Sequence, residues 1–183
     1  MKAGTVAARR TRPTAALQLP LAAIPENHYR AGWPPVWWVG CHGGAGTSTL
    51  ARLVGFGADF GAAWPALTPA MPGAQVVLVC RASASGTWSA TGAVEQWRRR
   101  AGVARMTWLL GVVAVAASPR RPPRIATERL RLLSGWAPQI WRVGWIDDLL
   151  AVDEPTDIGT PPDIEALRTT IWHTLHAKQR GRQ

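Results

Sequence analysis

The residues best suited to do chemistry lie together in one stretch, VWWVGCHGGAGTSTLARLVG, residues 36–55. Gly43, Gly44 and Gly46, with Ala45 among them, free the backbone to turn several N–H groups toward one anion. Thr47, Ser48 and Thr49 then open a helical pattern whose N-terminus adds positive potential. The chemistry of such a loop is phosphate holding, with Ser48 the candidate magnesium ligand and Thr49 a second hydroxyl. A phosphate loop of the usual kind places a lysine just before its Ser/Thr to reach the β and γ phosphates. Thr47 stands there instead and donates one neutral hydrogen bond. Two readings of residues 42–49 follow: weak binding of ATP or ADP with magnesium through the surviving nest, or a turn kept for packing alone. His42 likewise either meets phosphate when protonated or only occupies the turn.

Other chemistry-bearing residues are sparse. His173 and His176 are three apart on a helical pattern, but a metal needs further ligands and none is evident nearby. The cysteines, Cys41 and Cys80, form no CxxC motif. Each falls at the end of a strand pattern, as a small buried residue or as half of a thiol pair beside the loop. Asp147 and Asp148 are adjacent, so from a strand they cannot face one site; they read as a loop start or helix cap. No Ser-His-Asp order or cysteine nucleophile has local support.

The elements that must position the loop are legible from periodicity. Val36–Val39, Gln75–Cys80, Met106–Ala116 and Gln139–Ile146 are apolar runs, read as strands covered on both faces. Helices are expected over 48–54, 90–100 and 125–133, the last with Ile125, Leu130 and Leu133 toward the core, and from Asp163 onward. Residues 57–73 read as a Gly/Ala/Pro connector, and RASASGTWS as a polar turn. Strands alternating with helices predict an α/β fold, a three-layer α/β/α sandwich on a short, mostly parallel sheet. The expected organisation is a disordered basic arm over 1–32, the domain over 33–150 and an acidic Pro-rich linker over 151–162. An amphipathic helix over 163–178, packing on the domain, and a basic tail over 179–183 complete it.

HGGAGTSTLARL, residues 42–53, resembles the deviant Walker A loop of the ParA/MinD family of P-loop ATPases, whose pattern is KGGxGK[ST][ST]. Gly43, Gly44, Gly46, Ser48 and Thr49 match, whereas His42 and Thr47 stand at the two lysines and Cys41 at the leading glycine. AQVVLVCRASAS (74–85) is similar to the family strand after its Walker B element. VGWIDDLLAVDEP (143–155) resembles the segment bordering the adenine site, which implies an adenine-side position for Asp147 and Asp148. The resemblance spans residues 36–155 in outline. It implies a switch aspartate and a Walker B strand between Leu53 and Gln75, where only Asp59 is acidic and no acidic residue is expected at a strand end. Phosphoryl transfer relies on positioning and charge cancellation. With both lysines and the Walker B acid missing, no useful ATPase activity is expected from the isolated chain.

The functional expectation is a degenerate ParA/MinD-like protein that works through interactions in the partitioning, transfer or positioning machinery of a bacterial plasmid or mobile element. The alternatives are an atypical ATPase completed by a partner's lysine or arginine, and a basic DNA-binding accessory protein with a purely structural loop. The net charge of +10 is uneven: residues 94–150 carry +6 and 151–172 carry −4. Arg98–Arg100, Arg120, Arg121, Arg124, Arg129 and Arg131 offer a surface for DNA phosphates, or a solvated face. A protein partner is expected, and a homodimer is open. The last helix resembles the membrane-targeting tail of MinD-type proteins, but its apolar face reads first as core and a membrane surface second. No uncharged apolar run of 18 residues exists, and the first residues make a poor secretory signal, so the expected compartment is the cytoplasm.

Overall fold

Apolar runs without alternation become strands that need cover on both faces, and amphipathic helices supply it. The computed structural model of the protein describes residues 18–180. Along the chain come strand β1 (Leu21–Ala22), a 3-10 turn at Glu26–His28, β2 (Trp37–Gly40), helix α1 (Thr47–Val54), β3 (Ala58–Asp59) and β4 (Trp64–Pro65). Next are β5 (Ala74–Arg81), α2 (Ala84–Arg99), β6 (Thr107–Val115), α3 (Arg124–Leu133) and β7 (Ile140–Val143). Two 3-10 turns, Asp147–Leu150 and Pro155–Asp157, lead to α4 (Pro162–Arg180).

The main sheet has five strands in the order β3-β2-β5-β6-β7, and every pairing is parallel. Residues alternate between two cores along each strand, as the pleat dictates. Trp38, Val77 and Val79 join Leu50 and Leu53 of α1 and Ile164 and Ile171 of α4 on one face. Trp37, Val39, Val76 and Leu78 join Ala90 and Val94 of α2 and Leu130 and Leu133 of α3 on the other. The α/β/α sandwich expected from the sequence is the observed architecture. Among the described residues no helix is long and apolar enough to cross a membrane.

Several boundaries differ from the sequence reading, each for a physical reason. Helix α2 begins at Ala84 rather than at 90, because Ser83 caps it: its Oγ accepts from Gly86 N at 3.0 Å. The connector 57–73 contains β3 and β4, two-residue strands too short for periodicity to reveal. Ile125 is 43% exposed instead of in the core. In α4, Ile164, Leu167, Ile171 and Leu175 are buried while Trp172 stays 49% exposed. The 151–162 segment is a surface loop of the same domain, with Ile158 packed against the core and Glu154 paired with Arg52.

The largest correction concerns the basic arm. Residues 18–32 are not a disordered arm but pack on the domain, with Leu19 and Ile24 buried and β1 pairing in parallel with β4. What holds them is the buried Gln96 on α2. Its Oε1 accepts from Leu19 N at 3.0 Å and from Trp64 Nε1 at 2.9 Å. Its Nε2 donates to Leu19 O at 2.9 Å and to Ala101 O at 3.3 Å. The remainder of the arm reading, residues 1–17, and the tail at 181–183 lie outside the described residues, as do the side chains of residues 178–180.

Removing an amide that satisfies several buried groups leaves them unpaired, at roughly 1–3 kcal/mol for each such group. Gln96→Leu is therefore expected to lower unfolding stability by about 2–4 kcal/mol. It should also speed amide exchange at Leu19 and Leu21 selectively, measured by urea denaturation together with hydrogen exchange.

Candidate functional site

The strand order sets where a ligand can enter. From β2 the chain moves to β3 on one side, and β5 lies on the other side of β2. At such a reversal the connections leave in opposite directions, and a crevice opens beyond the carboxyl ends of the two central strands. Here β2 ends in the glycine-rich loop and β5 ends at Arg81.

The loop is held at its base by Gly40 N donating to Gly61 O at 2.7 Å and Cys41 N donating to Val79 O at 2.8 Å. Gly46 then turns it into α1 with φ at 90°, a left-handed conformation that costs a residue with a Cβ, while Leu50 N donates to Gly46 O at 2.9 Å. Thr47, at the lysine position, is buried with its Oγ1 where a Cβ on Gly40 would approach to 2.6 Å. A glycine at 40 is thus needed for the loop to close onto the strand.

His42 has two ring partners. Nδ1 lies 2.8 Å from Gly43 O, and Nε2 accepts from Arg81 N at 3.3 Å. One is an acceptor and the other a donor, which places the ring proton on Nδ1. His42 therefore ties the loop to β5.

Two residues of the site were missed or misjudged in the sequence. Arg81 brings a guanidinium to the loop: Nε donates to Gly44 O at 3.2 Å and Nη1 to Ala116 O at 3.0 Å. Asp59 does end a strand, contrary to expectation, because β3 pairs with β2 in the register Trp38 to Asp59. Ser48 Oγ donates to its Oδ2 at 2.5 Å, and Gly61 N donates to its Oδ1 at 3.0 Å. A hydroxyl and a carboxylate are hard oxygen donors, the kind magnesium takes in small number when phosphates and water complete its shell. The pair therefore fits a magnesium ion, whereas no group of three or more His, Cys, Asp or Glu converges among the described residues.

The concavity lined by residues 42–49, Asp59, Gly61, Ala62 and Arg81 has a volume of about 370 Å³. A second cleft of about 310 Å³ shares Gly46, Thr49 and Arg81 with it and runs between α1 and the 144–155 segment. Trp145, Ile146, Leu149 and Val152 make that cleft apolar, and Asp153 supplies one carboxylate. Asp147 and Asp148, expected on the adenine side, do not line this cleft: the 3-10 turn exposes both, and Asp147 Oδ1 accepts from Trp145 Nε1 at 2.8 Å. His173 is exposed on α4, and His176 Nδ1 lies 2.8 Å from Trp172 O.

Cys41 and Cys80 are buried free thiols in the core beneath the loop. Burial pushes the Cys80 thiol up to about 12, and burial with the neighbouring Cys80 pushes Cys41 well above its ordinary value. Such thiols are poor nucleophiles, which favours the structural reading.

Compared with protein-family models, curated proteins and solved structures, the chain matches none of them. The geometry of this crevice therefore carries the functional reading.

Two outcomes are expected here. Gly40→Ala should lower stability by roughly 1–3 kcal/mol, read by thermal or urea unfolding, because the new methyl meets Thr47 Oγ1. The folded thiols stay protonated above the ordinary 9.0 at which the unfolded chain begins to release those protons. Stability should then fall as pH rises from 9.0 toward about 12, by up to about 1.4 kcal/mol per pH unit for each thiol. Cys80→Ala should flatten that slope.

Proposed function

We propose that the chain binds a magnesium nucleoside polyphosphate in the crevice at the carboxyl ends of β2 and β5, and that it holds this ligand without turning it over. The observation that carries the proposal is one convergence: the glycine-loop amides, the Arg81 guanidinium and the Ser48–Asp59 pair surround a single concavity opening into an apolar cleft. Polyphosphate suits the first part by charge, and a planar base suits the second by apolarity and size.

Each group has a distinct role in this reading. The loop amides and the N-terminus of α1 receive phosphate oxygens. Arg81 supplies the positive charge that Thr47 lacks, from a neighbouring strand instead of from the loop. Ser48 and Asp59 are the residues that would hold magnesium, whose chemistry is to neutralise phosphate charge. Trp145, Ile146 and Leu149 exclude water around the base.

Binding without turnover follows from how the groups are used. Asp59 is bonded to Ser48 and to Gly61 N, and His42 is bonded on both ring nitrogens. Neither is left to orient a water, and an ATPase without a group that positions the attacking water forfeits about a few kcal/mol of transition-state stabilisation. The wider role, a protein acting through interactions in plasmid or mobile-element partitioning, transfer or positioning, rests on the loop resemblance alone.

Titration calorimetry with Mg-ATP and Mg-ADP tests the reading. Arg81→Ala should weaken binding by about 10- to 100-fold, the worth of one charge-assisted hydrogen bond. Asp59→Asn should remove the magnesium dependence while leaving metal-free binding in place. No heat at millimolar nucleotide would end the proposal, and phosphate release by the wild type that Asp59→Asn abolishes would overturn its non-hydrolysing part.

A further inference from the structure

The charge of the molecule is divided by region, and each half carries an exposed leucine. Residues 95–131 hold nine arginines against Glu95 and Glu128, whereas residues 147–165 hold seven acidic side chains and no basic one. In the basic region Leu132 is 70% exposed, and in the acidic region Leu150 is 74% exposed. Leu150 also lines the cleft between α1 and the 144–155 segment.

The basic region is also organised. On α3, Ile125 and Leu132 are seven residues apart, which places them along one side of the helix axis, and Trp136 follows in the turn after it. All three are exposed, Trp136 lying just beyond the end of the helix. Arg98 of α2 lies 5.3 Å over the Trp136 ring, and Arg129 of α3 lies 5.0 Å over the Trp88 ring. These two stacks fasten α2 to α3 and fix the guanidiniums beside the apolar row. Arg120, Arg121 and Arg131 have no ion-pair partner among the described residues.

The acidic region is the complement. The 3-10 turn Asp147–Leu150 is anchored from below by Leu149, so Leu150 stands out from it. Asp148, Asp153 and Asp157 around it have no ion-pair partner among the described residues.

We infer that this acidic, leucine-tipped turn of one copy docks on the basic, apolar α2–α3 face of a second copy of the same chain. Charge and apolar surface match in both directions. The two patches belong to opposite faces of the sheet: α3 packs with the core that holds Leu130 and Leu133, and Leu149 with the core that holds Val77 and Val79. A contact between two different patches is heterologous, and repeated from copy to copy it builds a ring or an open chain.

The test uses the nuclease-treated full chain in sedimentation velocity, with circular dichroism of each variant to establish that it folds. Wild type should associate with rising concentration at about 0.1 M salt and dissociate near 1 M, where the Debye length falls from roughly 10 to 3 Å. The double variant Arg131→Glu with Leu132→Glu removes only the basic face. Asp148→Arg with Leu150→Arg removes only the acidic turn. Each should be monomeric alone, and their equimolar mixture should form a dimer that grows no further. A wild type that stays monomeric at low salt, or a mixture that stays monomeric, overturns the inference. Duplex DNA bound by a monomer, and lost in the Arg131→Glu, Leu132→Glu variant, overturns it in favour of a phosphate-binding face.

Discussion

The candidate site depends on one constraint of topology, the position of β2 between β3 and β5. A parallel strand flanked on both sides gathers the ends of its two neighbours at its own carboxyl end. For this chain those ends are Asp59 and Arg81, an anion and a cation, delivered to either side of the glycine loop. Nothing in the loop itself carries a formal charge. Its electrostatic character is imported from the strands beside it, and the hydrogen bonds from Arg81 to Gly44 and from Ser48 to Asp59 are where the import is made.

This arrangement accounts for a glycine-rich loop that has no lysine. Thr47 is turned into the protein against Gly40, so its position serves closure of the loop on β2. His42 clamps the loop to β5. His42 and Thr47 thus have structural roles, and the cation beside the loop comes from β5. A guanidinium anchored to two carbonyls is less mobile than a lysine ammonium, which suits holding a phosphate more than following one through a reaction.

Much of the fold was legible because parallel strands and amphipathic helices leave strong periodic signals. The runs QVVLVC and MTWLLGVVAVA, and the 3.6-residue pattern from Ile164 to Leu175, found their places within a residue or two. What was illegible was short or tertiary. A two-residue strand such as β3 has no period, so Asp59 could not be placed at a strand end. Leu19 and Ile24 have no periodic neighbours either; they are buried because Gln96 lies 77 residues from Leu19 and turns its amide toward it. The charge census did contain a usable signal. Between residues 33 and 93 the only ionised side chains are Arg52, Asp59 and Arg81, and two of those three line the loop concavity. In a stretch so poor in charge, each charged residue was a candidate for the site.

The central claim, that loop and cleft form one nucleotide site, is tested most directly by backbone amide chemical shifts during a titration with Mg-ADP. The account predicts concerted, saturable shifts in two separated segments, residues 43–49 and residues 144–153, with residues 124–133 of α3 unmoved. Saturating Mg-ADP that leaves the 43–49 amides where they were would contradict it.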